Sequence, residues 1–135
     1  MLPPTPDDEL RIYIVMRRDI GDTIPKAKFG VQIAHATAAT LYHCLMTDRD
    51  RGIHYMEHGQ PKIVLRVKND VELMALAKKA EELGCHVDPI VDAGRTVFNE
   101  PTLTSFAVGP IWYKSEGLFL KRIQLYKAIP DETPA

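Results

Sequence analysis

At 135 residues, with 45% hydrophobic and 26% charged residues, the chain has the size and composition of one globular domain with its own core. No run of about 18 apolar residues occurs, and the start MLPPTPDDEL has neither a basic region nor an apolar stretch, so the sequence predicts no membrane span and no secretory signal. The net charge of −1 argues against a strongly basic nucleic-acid-binding protein.

The first predicted elements are a buried strand and a long helix. We expect residues 1–10 to form a disordered, acidic lead-in. RIYIVM, residues 11–16, is apolar on both alternating faces, which is typical of a strand covered on both sides. Asp22 or Thr23 can cap the helix that follows, and this helix is predicted to run to about Leu45.

The middle of the chain predicts a loop, a second strand and a second helix. Residues 46–61 are polar and contain glycine, which indicates a loop. KIVLRV, residues 62–67, predicts a strand. Asn69 can cap a helix over residues 70–83, because Glu72 stands three residues further on and completes a capping-box pattern.

The last third of the chain predicts shorter strands. HVDPIV, residues 86–91, contains a proline, which favours a short or edge strand. TLTSFAV, residues 102–108, predicts a fourth strand, RIQLY, residues 122–126, a fifth short one, and 128–135 a frayed tail. The order β-α-β-α-β-β indicates one α/β domain over 11–127, a three-layer α/β/α sandwich with a mixed sheet of about four strands.

Basic residues are concentrated in the body of the chain. All 17 Lys and Arg lie between Arg11 and Lys127, whereas five of the 18 acids lie in the two ends. A mildly basic body of this kind is compatible with a phosphate-bearing partner. Cys44 and Cys85 lack metal-type spacing, so we expect reduced packing residues in a cytoplasmic protein.

Three polar residues recur in the first helix at spacings of four and three. At about 100° per residue, Gln32 lies about 40° and His35 about −20° from Lys28. We therefore expect one narrow strip that faces away from the core, beside alanines that leave room for a large ligand. A solvated surface, or a histidine bonded to the backbone, explains the same spacing and stays open as an alternative.

The segment DAGRT, residues 92–96, is the second candidate. It leaves a strand through Asp92 and a tight turn, an arrangement that can hold a carboxylate rigidly at a cleft. The alternative is that Asp92 and Thr96 only cap the turn.

Five short motifs follow one another along the chain in a specific order and spacing. They are R-R-D-I (17–20), K-x-x-x-Q-x-x-H-A (28–36), G-Q-x-K-I-V-L-x-V (59–67), D-A-G-R-T (92–96) and A-V-G-P (107–110). Together they resemble the type 2 peptidyl-tRNA hydrolase family. The resemblance implies a mixed sheet between helices, a homodimer, and cleavage of the ester that joins a peptide to the terminal ribose of tRNA. It also implies that no metal or other cofactor is needed.

The resemblance implies site residues when it is carried over position by position. Lys28, Asp92, Thr96 and His35 would be catalytic. Asp92 would accept a proton from water or orient Lys28, and Lys28 would stabilise the oxyanion or a phosphate. Thr96 would position the water or pass on a proton through its hydroxyl, and His35 would do acid–base work near neutral pH. Gln32 would bind a peptide amide or a ribose hydroxyl.

The implied tRNA partner needs cations near these groups, since its backbone is anionic. The flanking basic residues expected to bind phosphates are Arg17, Arg18, Lys26 and Arg95.

The chain also departs from the family pattern. Val97 follows the D-A-G-R-T motif where the family has Gln, and Glu100-Pro101 stands where it has Pro-Gly. These departures favour an alternative function: a non-catalytic binding protein on the same fold, with a small metabolite or a peptide conjugate as ligand. Hydrolysis of another acyl or amide bond is a third interpretation.

Overall fold

A computed structural model describes residues 1–92 and 100–127 of the chain. The elements in chain order are β1 (Leu10–Arg17), α1 (Arg18–Gly21), α2 (Lys26–Thr47), α3 (Arg49–Glu57), β2 (Lys62–Val67), α4 (Asp70–Glu82), β3 (Ile90–Asp92), β4 (Thr102–Trp112) and a 3₁₀ turn (Leu118–Leu120). The tail expected over 128–135 lies outside the described residues.

Four strands form one mixed sheet in the order β2-β1-β4-β3. β1 runs parallel to β2 and antiparallel to β4, and β3 runs antiparallel to β4. The parallel pair needs a crossover connection, which α2 and α3 supply. The predicted mixed sheet of about four strands is confirmed.

Helices cover both faces of this sheet, because the side chains of β1 alternate between two cores. On one face, Val15 packs in a cluster with Leu73 of α4. On the other, Ile14 packs with Ala36 of α2 and Tyr55 of α3. The result is the predicted α/β/α arrangement. None of the helices within the described residues is long and apolar enough to cross a membrane.

The second strand and the helix after it have the predicted boundaries to within a residue. β2 spans Lys62–Val67, and the Asn69 side chain caps α4 by accepting from the Glu72 N–H at 3.1 Å. The Glu72 carboxylate accepts from the Lys68 N–H at 2.6 Å. In a capping box the glutamate accepts from the N–H of the cap residue itself. Here Glu72 accepts instead from Lys68, the residue before the cap.

The loop predicted over 46–61 is wrong, because α3 occupies Arg49–Glu57. Asp48 caps this helix by accepting from the Arg51 N–H at 3.3 Å. Only Gly52 and Tyr55 of the helix are buried, and its other apolar residues, Ile53 and Met56, are exposed. The sequence therefore shows no broad apolar stripe.

The predicted strands of the last third change in length. The strand expected over 86–91 is reduced to Ile90–Asp92, consistent with Pro89, which has no N–H for strand pairing. β4 continues beyond the predicted end to Trp112. Residues 122–126 do not form a regular strand, and their pairing with β2 is a single bridge between Leu125 and Leu65.

The expected disordered lead-in is wrong for its last residues. Leu10 begins β1, and Asp8 is buried. The Asp8 carboxylate accepts from the Glu9 N–H at 2.8 Å and from the Lys114 N–H at 3.1 Å. Residues 8–10 therefore belong to the folded domain.

Candidate functional site

The ammonium of Lys28 meets the carboxylate of Asp92 where α2 begins and β3 ends. Lys28 Nζ donates to Asp92 Oδ2 at 2.5 Å, and the two side chains are 15% and 9% exposed. A close pair that is largely withdrawn from water is held more strongly than one on an open surface. Folding thus brings together two groups that stand 64 residues apart, at a position that solvent still reaches.

The start of α2 sets the position of Lys28. The helix begins at Lys26 after Pro25, and no side chain caps it. The predicted caps at Asp22 and Thr23 are therefore wrong. The Thr23 hydroxyl donates to a backbone carbonyl three residues earlier, and Asp22 accepts from Tyr126.

Gln32 faces the sheet, so the strip predicted to point away from the core is wrong at this residue. Its side chain is buried, with 1% exposure. The buried residues of α2 recur every four positions and are mostly small: Gln32, Ala36, Thr40 and Cys44. Small side chains allow a helix to approach a sheet closely. The larger Ile33 and Leu41 are half-buried and pack against the same core from the side, so the centre of the contact follows the small residues.

A β-bulge in β4 changes the direction of the side chain opposite Gln32. Ile90 of β3 pairs with Ser105, whereas the next residue, Val91, pairs with Leu103. Thr104 is therefore an extra residue in β4. A bulge interrupts strict alternation, which lets Thr104 and Ser105 both direct their hydroxyls to one region.

Thr104 joins Gln32 to the sheet by a short hydrogen bond. Its Oγ1 donates to Gln32 Oε1 at 2.7 Å, and lies 3.2 Å from the Ile90 carbonyl and 3.4 Å from Ser105 Oγ. This contact fixes which end of the Gln32 amide faces the strand. Within residues 1–92 and 100–127, this is the one hydrogen bond that the Gln32 side chain makes.

His35 is not brought to the pair. Its side chain is exposed, and it makes no hydrogen bond, ion pair or ring contact within the described part of the chain. The remaining two residues predicted from the D-A-G-R-T motif, Arg95 and Thr96, lie outside the described residues.

The predicted phosphate-binding residues before α2 differ in availability. The Arg17 guanidinium donates to both carboxylate oxygens of Asp19 at 2.8 Å and to the Leu103 carbonyl at 3.0 Å, so it is engaged within the chain. The hydrogen bond from Arg17 holds the pKa of Asp19 below its ordinary value. Arg18 forms a 3.1 Å ion pair with an aspartate four residues on, and Lys26 is exposed.

Tyr126 supports the start of α2, a role for which RIQLY gave no signal beyond a strand-like pattern. Its hydroxyl donates to Asp22 Oδ1 at 2.6 Å, and its ring meets Phe29 edge-on with centroids 4.9 Å apart. Burial, and then the bond to Asp22, raise the pKa of the Tyr126 hydroxyl. Phe29 directly follows Lys28, so Tyr126 braces the turn of helix that carries the ammonium.

A cavity of about 550 Å³ lies at the other end of α2 and does not include the pair. Its lining begins at Thr40, about three helical turns from Lys28. Arg51 in its wall is already bonded to Glu116 at 2.6 Å. Cys44 and Cys85 also line it, both as free thiols, and burial raises the pKa of each. Raised thiol pKa values argue against a cysteine nucleophile there.

No three His, Cys, Asp or Glu side chains converge to hold a metal ion in the stretches 1–92 and 100–127. What the geometry offers is one fixed cation beside a carboxylate, with an amide one helical turn further along α2. Such a set can stabilise negative charge on a carbonyl oxygen and hold the groups around it.

Comparison with known proteins assigns the family. The family profile described as "Peptidyl-tRNA hydrolase PTH2" matches residues 10–126. The chain belongs to the PTH2 family. A protein of Aeropyrum pernix named "Peptidyl-tRNA hydrolase" is 37% identical over 101 residues, which is 72% of this chain and 80% of that protein. One of Metallosphaera sedula with the same name is 31% identical over 103 residues, 75% of this chain and 86% of the relative.

PTH2 membership confirms three predictions made from the sequence. These are the family, the α/β fold class with its mixed sheet, and the assignment to an enzyme of the hydrolase class. The family match begins at the first residue of β1 and ends at Tyr126, so it includes the C-terminal segment that braces α2.

Proposed function

We propose that this PTH2 family member hydrolyses the ester between a peptide, or an N-blocked amino acid, and the terminal ribose of tRNA, and so releases tRNA for reuse. The observation that carries the proposal is the 2.5 Å contact of Lys28 with Asp92 at a partly accessible position. The family match and the names of the archaeal relatives support the same substrate.

Lys28 acts as the electrophilic group. Attack of water on an ester carbonyl places negative charge on its oxygen, and a preorganised donor at that oxygen lowers the barrier. The Lys28 ammonium is held by a carboxylate and is shielded from most of the solvent, so little reorganisation is needed when charge develops.

Asp92 holds this ammonium in place. Its Oδ2 already accepts from Lys28, which favours an orienting role over that of a general base. The water is then positioned by the hydroxyl of Thr96, a role that rests on the D-A-G-R-T motif alone.

Gln32 binds the acylated end of the substrate through its amide nitrogen. Thr104 fixes the amide oxygen toward β4, so the N–H groups point the other way and can donate to a peptide carbonyl or a ribose hydroxyl. His35 lies on the exposed side of α2, where it contacts substrate rather than the reacting atoms.

The tRNA meets exposed cations at the beginning of α2. Lys26 and Arg18 are the predicted phosphate contacts that remain accessible, while Arg17 supports β4. A homodimer is part of the same proposal and rests on the family resemblance. A cytoplasmic location is also part of it and rests on the two cysteines, which lack the spacing of a disulfide or metal motif.

The direct test is to incubate the purified protein with N-acetyl-aminoacyl-tRNA and measure release of the N-acetyl amino acid and of intact tRNA. We expect release well above the spontaneous rate. Binding of the tRNA without release would support the non-catalytic alternative. Equal cleavage of small esters that carry no nucleotide would support the third interpretation, a general acyl hydrolase.

A further inference from the structure

The outer edge of the sheet is built from two segments that run side by side. β2 is the edge strand, and residues 124–126 lie along its free side. The Arg66 N–H donates to the Gln124 carbonyl and the Tyr126 N–H donates to the Val64 carbonyl, both at 2.9 Å. The pairing is antiparallel around the bridge between Leu65 and Leu125.

These two segments carry only positive charge. Residues 62–68, KIVLRVK, and residues 121–127, KRIQLYK, contain no Asp or Glu. Their cations, which we call the basic edge, are Lys62, Arg66, Lys68, Lys121, Arg122 and Lys127. All but Arg66 are exposed, and the ion pairs of the described residues include none of them.

The cations of the basic edge differ in this respect from most cations near Lys28 and Asp92, which have carboxylate partners. Lys28, Arg17 and Arg18 each have an acidic partner within 3.1 Å. In the basic edge, Arg66 is held by a neutral group instead, because its Nε and Nη2 donate to the Gln124 amide oxygen at 3.1 and 2.9 Å. Its charge is positioned but not neutralised.

The cations lie along β2 and at both ends of the segment beside it. The two hydrogen bonds around the bridge join Val64 to Tyr126 and Arg66 to Gln124. Lys127 therefore follows this segment on the side where β2 begins, and Arg122 precedes it in a turn on the side where β2 ends. At roughly 3.3 Å per residue, β2 carries its cations over about 20 Å. A row of unpaired cations of this length fits several consecutive phosphates of a nucleic-acid strand.

The basic edge adjoins the start of α2, the part of the helix that carries Lys28. Tyr126 belongs to the second segment, bonds to Asp22 and packs against Phe29, the neighbour of Lys28. The segment that carries part of the basic edge therefore contacts the start of α2, where Lys28 lies.

We propose that the basic edge binds the phosphate backbone of the tRNA part of the substrate. This rests on the proposed function and deepens it, because it names where the RNA body lies while its acylated end is at Lys28. The contacts are to phosphates, so the basic edge supplies affinity without reading the tRNA sequence.

A matched pair of triple variants tests this inference. The edge variant is K68Q/R122Q/K127Q, and the control variant, R49Q/K78Q/K79Q, removes three exposed cations from α3 and α4. Binding of uncharged tRNA is measured at several salt concentrations, together with kcat/KM on N-acetyl-aminoacyl-tRNA and on an N-acetyl-aminoacyl ester of adenosine. Thermal unfolding checks that both variants are folded.

We expect the edge variant to bind tRNA about tenfold or more weakly at low salt, with a salt slope smaller by about 2. Its ratio of kcat/KM on tRNA to kcat/KM on the adenosine ester should fall by a similar factor. The control variant should stay within about twofold of the wild type. Equal weakening by both triples, or unchanged tRNA binding by the edge variant, would overturn the inference.

The same experiment separates the two proposals. If the wild type hydrolyses N-acetyl-aminoacyl-tRNA but the edge variant matches it on both substrates, the basic edge is refuted and the proposed function stands. If the wild type neither hydrolyses nor binds tRNA, the proposed function fails and the inference fails with it.

Discussion

Lys28 Nζ and Asp92 Oδ2 lie 2.5 Å apart with side chains that are only 15% and 9% exposed. Removing the cation leaves a largely buried carboxylate without its ammonium, which costs more than removing both charges. We predict that Lys28→Met lowers the free energy of unfolding by about 2–3 kcal/mol, and that adding Asp92→Asn restores part of it. Urea denaturation measures both. A double variant less stable than Lys28→Met would contradict this account of the pair.

Thr104 is predicted to act on catalysis through Gln32. Thr104→Val keeps the shape of the side chain but removes the donor, leaving the buried amide oxygen of Gln32 without its 2.7 Å partner. An unsatisfied buried acceptor costs about 1–3 kcal/mol of stability. We also expect KM for N-acetyl-aminoacyl-tRNA to rise about tenfold, since the amide loses its orientation. Thr104→Ser retains the hydroxyl and should recover most of the loss; a serine variant as poor as valine would count against the hydrogen bond.

Tyr126 should stabilise the start of α2 through its hydroxyl. Tyr126→Phe keeps the ring contact with Phe29 and removes the 2.6 Å bond to the Asp22 carboxylate. Hydrogen bonds to charged groups contribute about 1.5–3 kcal/mol, so the midpoint of urea unfolding should fall accordingly. Tyr42→Phe is the matched control, because Tyr42 is 68% exposed and its hydroxyl bonds to no other described residue. Similar effects of the two substitutions would show that the Asp22 contact adds nothing.

The Arg17–Asp19 pair predicts a pH-dependent part of stability. The hydrogen bond from Arg17 lowers the pKa of Asp19 in the folded state relative to the unfolded chain. The stabilisation by this pair is therefore fully present at pH values above the pKa of Asp19 in the unfolded chain, about 3.9. It is lost as the pH falls through the lower pKa of Asp19 in the folded protein. Asp19→Asn should be less stable than wild type at pH 7, and the difference should shrink when unfolding is measured at pH 3. A difference that is constant between these pH values would contradict the assignment.

Most of the sheet and the helix α4 could be predicted from the sequence, because their signals are local. KIVLRV has the apolar run of a covered strand, and Asn69 with Glu72 marks the start of α4. Helix α3 could not be predicted in the same way, because only two of its residues face the core. Its stability comes from tertiary contacts such as those of Tyr55. The spacing of apolar residues along the sequence does not reveal these contacts.

The residues of the candidate site could be predicted from the sequence only where they belong to one of the short motifs. Lys28 and Asp92 came from the spacing of two motifs, and their contact is a property of the fold. The direction of Gln32 was not predictable, since it depends on how closely α2 approaches β4. Thr104 was missed because a single extra residue in β4 alters alternation locally. The one signal present was two adjacent hydroxyl residues, Thr104 and Ser105, inside an otherwise apolar strand.

Substitutions of Asp92 test its role directly. Asp92→Asn still offers an oxygen to the Lys28 ammonium but cannot take a proton, whereas Asp92→Ala offers neither. If Asp92 orients Lys28, the asparagine variant should keep about tenfold or more activity over the alanine variant. Equal inactivity of the two on N-acetyl-aminoacyl-tRNA would instead make Asp92 the general base.

The most direct measurement of the central claim is the single-turnover rate of N-acetyl-aminoacyl-tRNA hydrolysis by the wild type and by Lys28→Ala, Asp92→Ala and the double variant. We expect each single variant to lose about 10²–10³ in rate and the double variant to lose little more, because the two side chains act as one unit. Rates in the double variant equal to the wild-type rate would contradict the claim that this ion pair performs the hydrolysis.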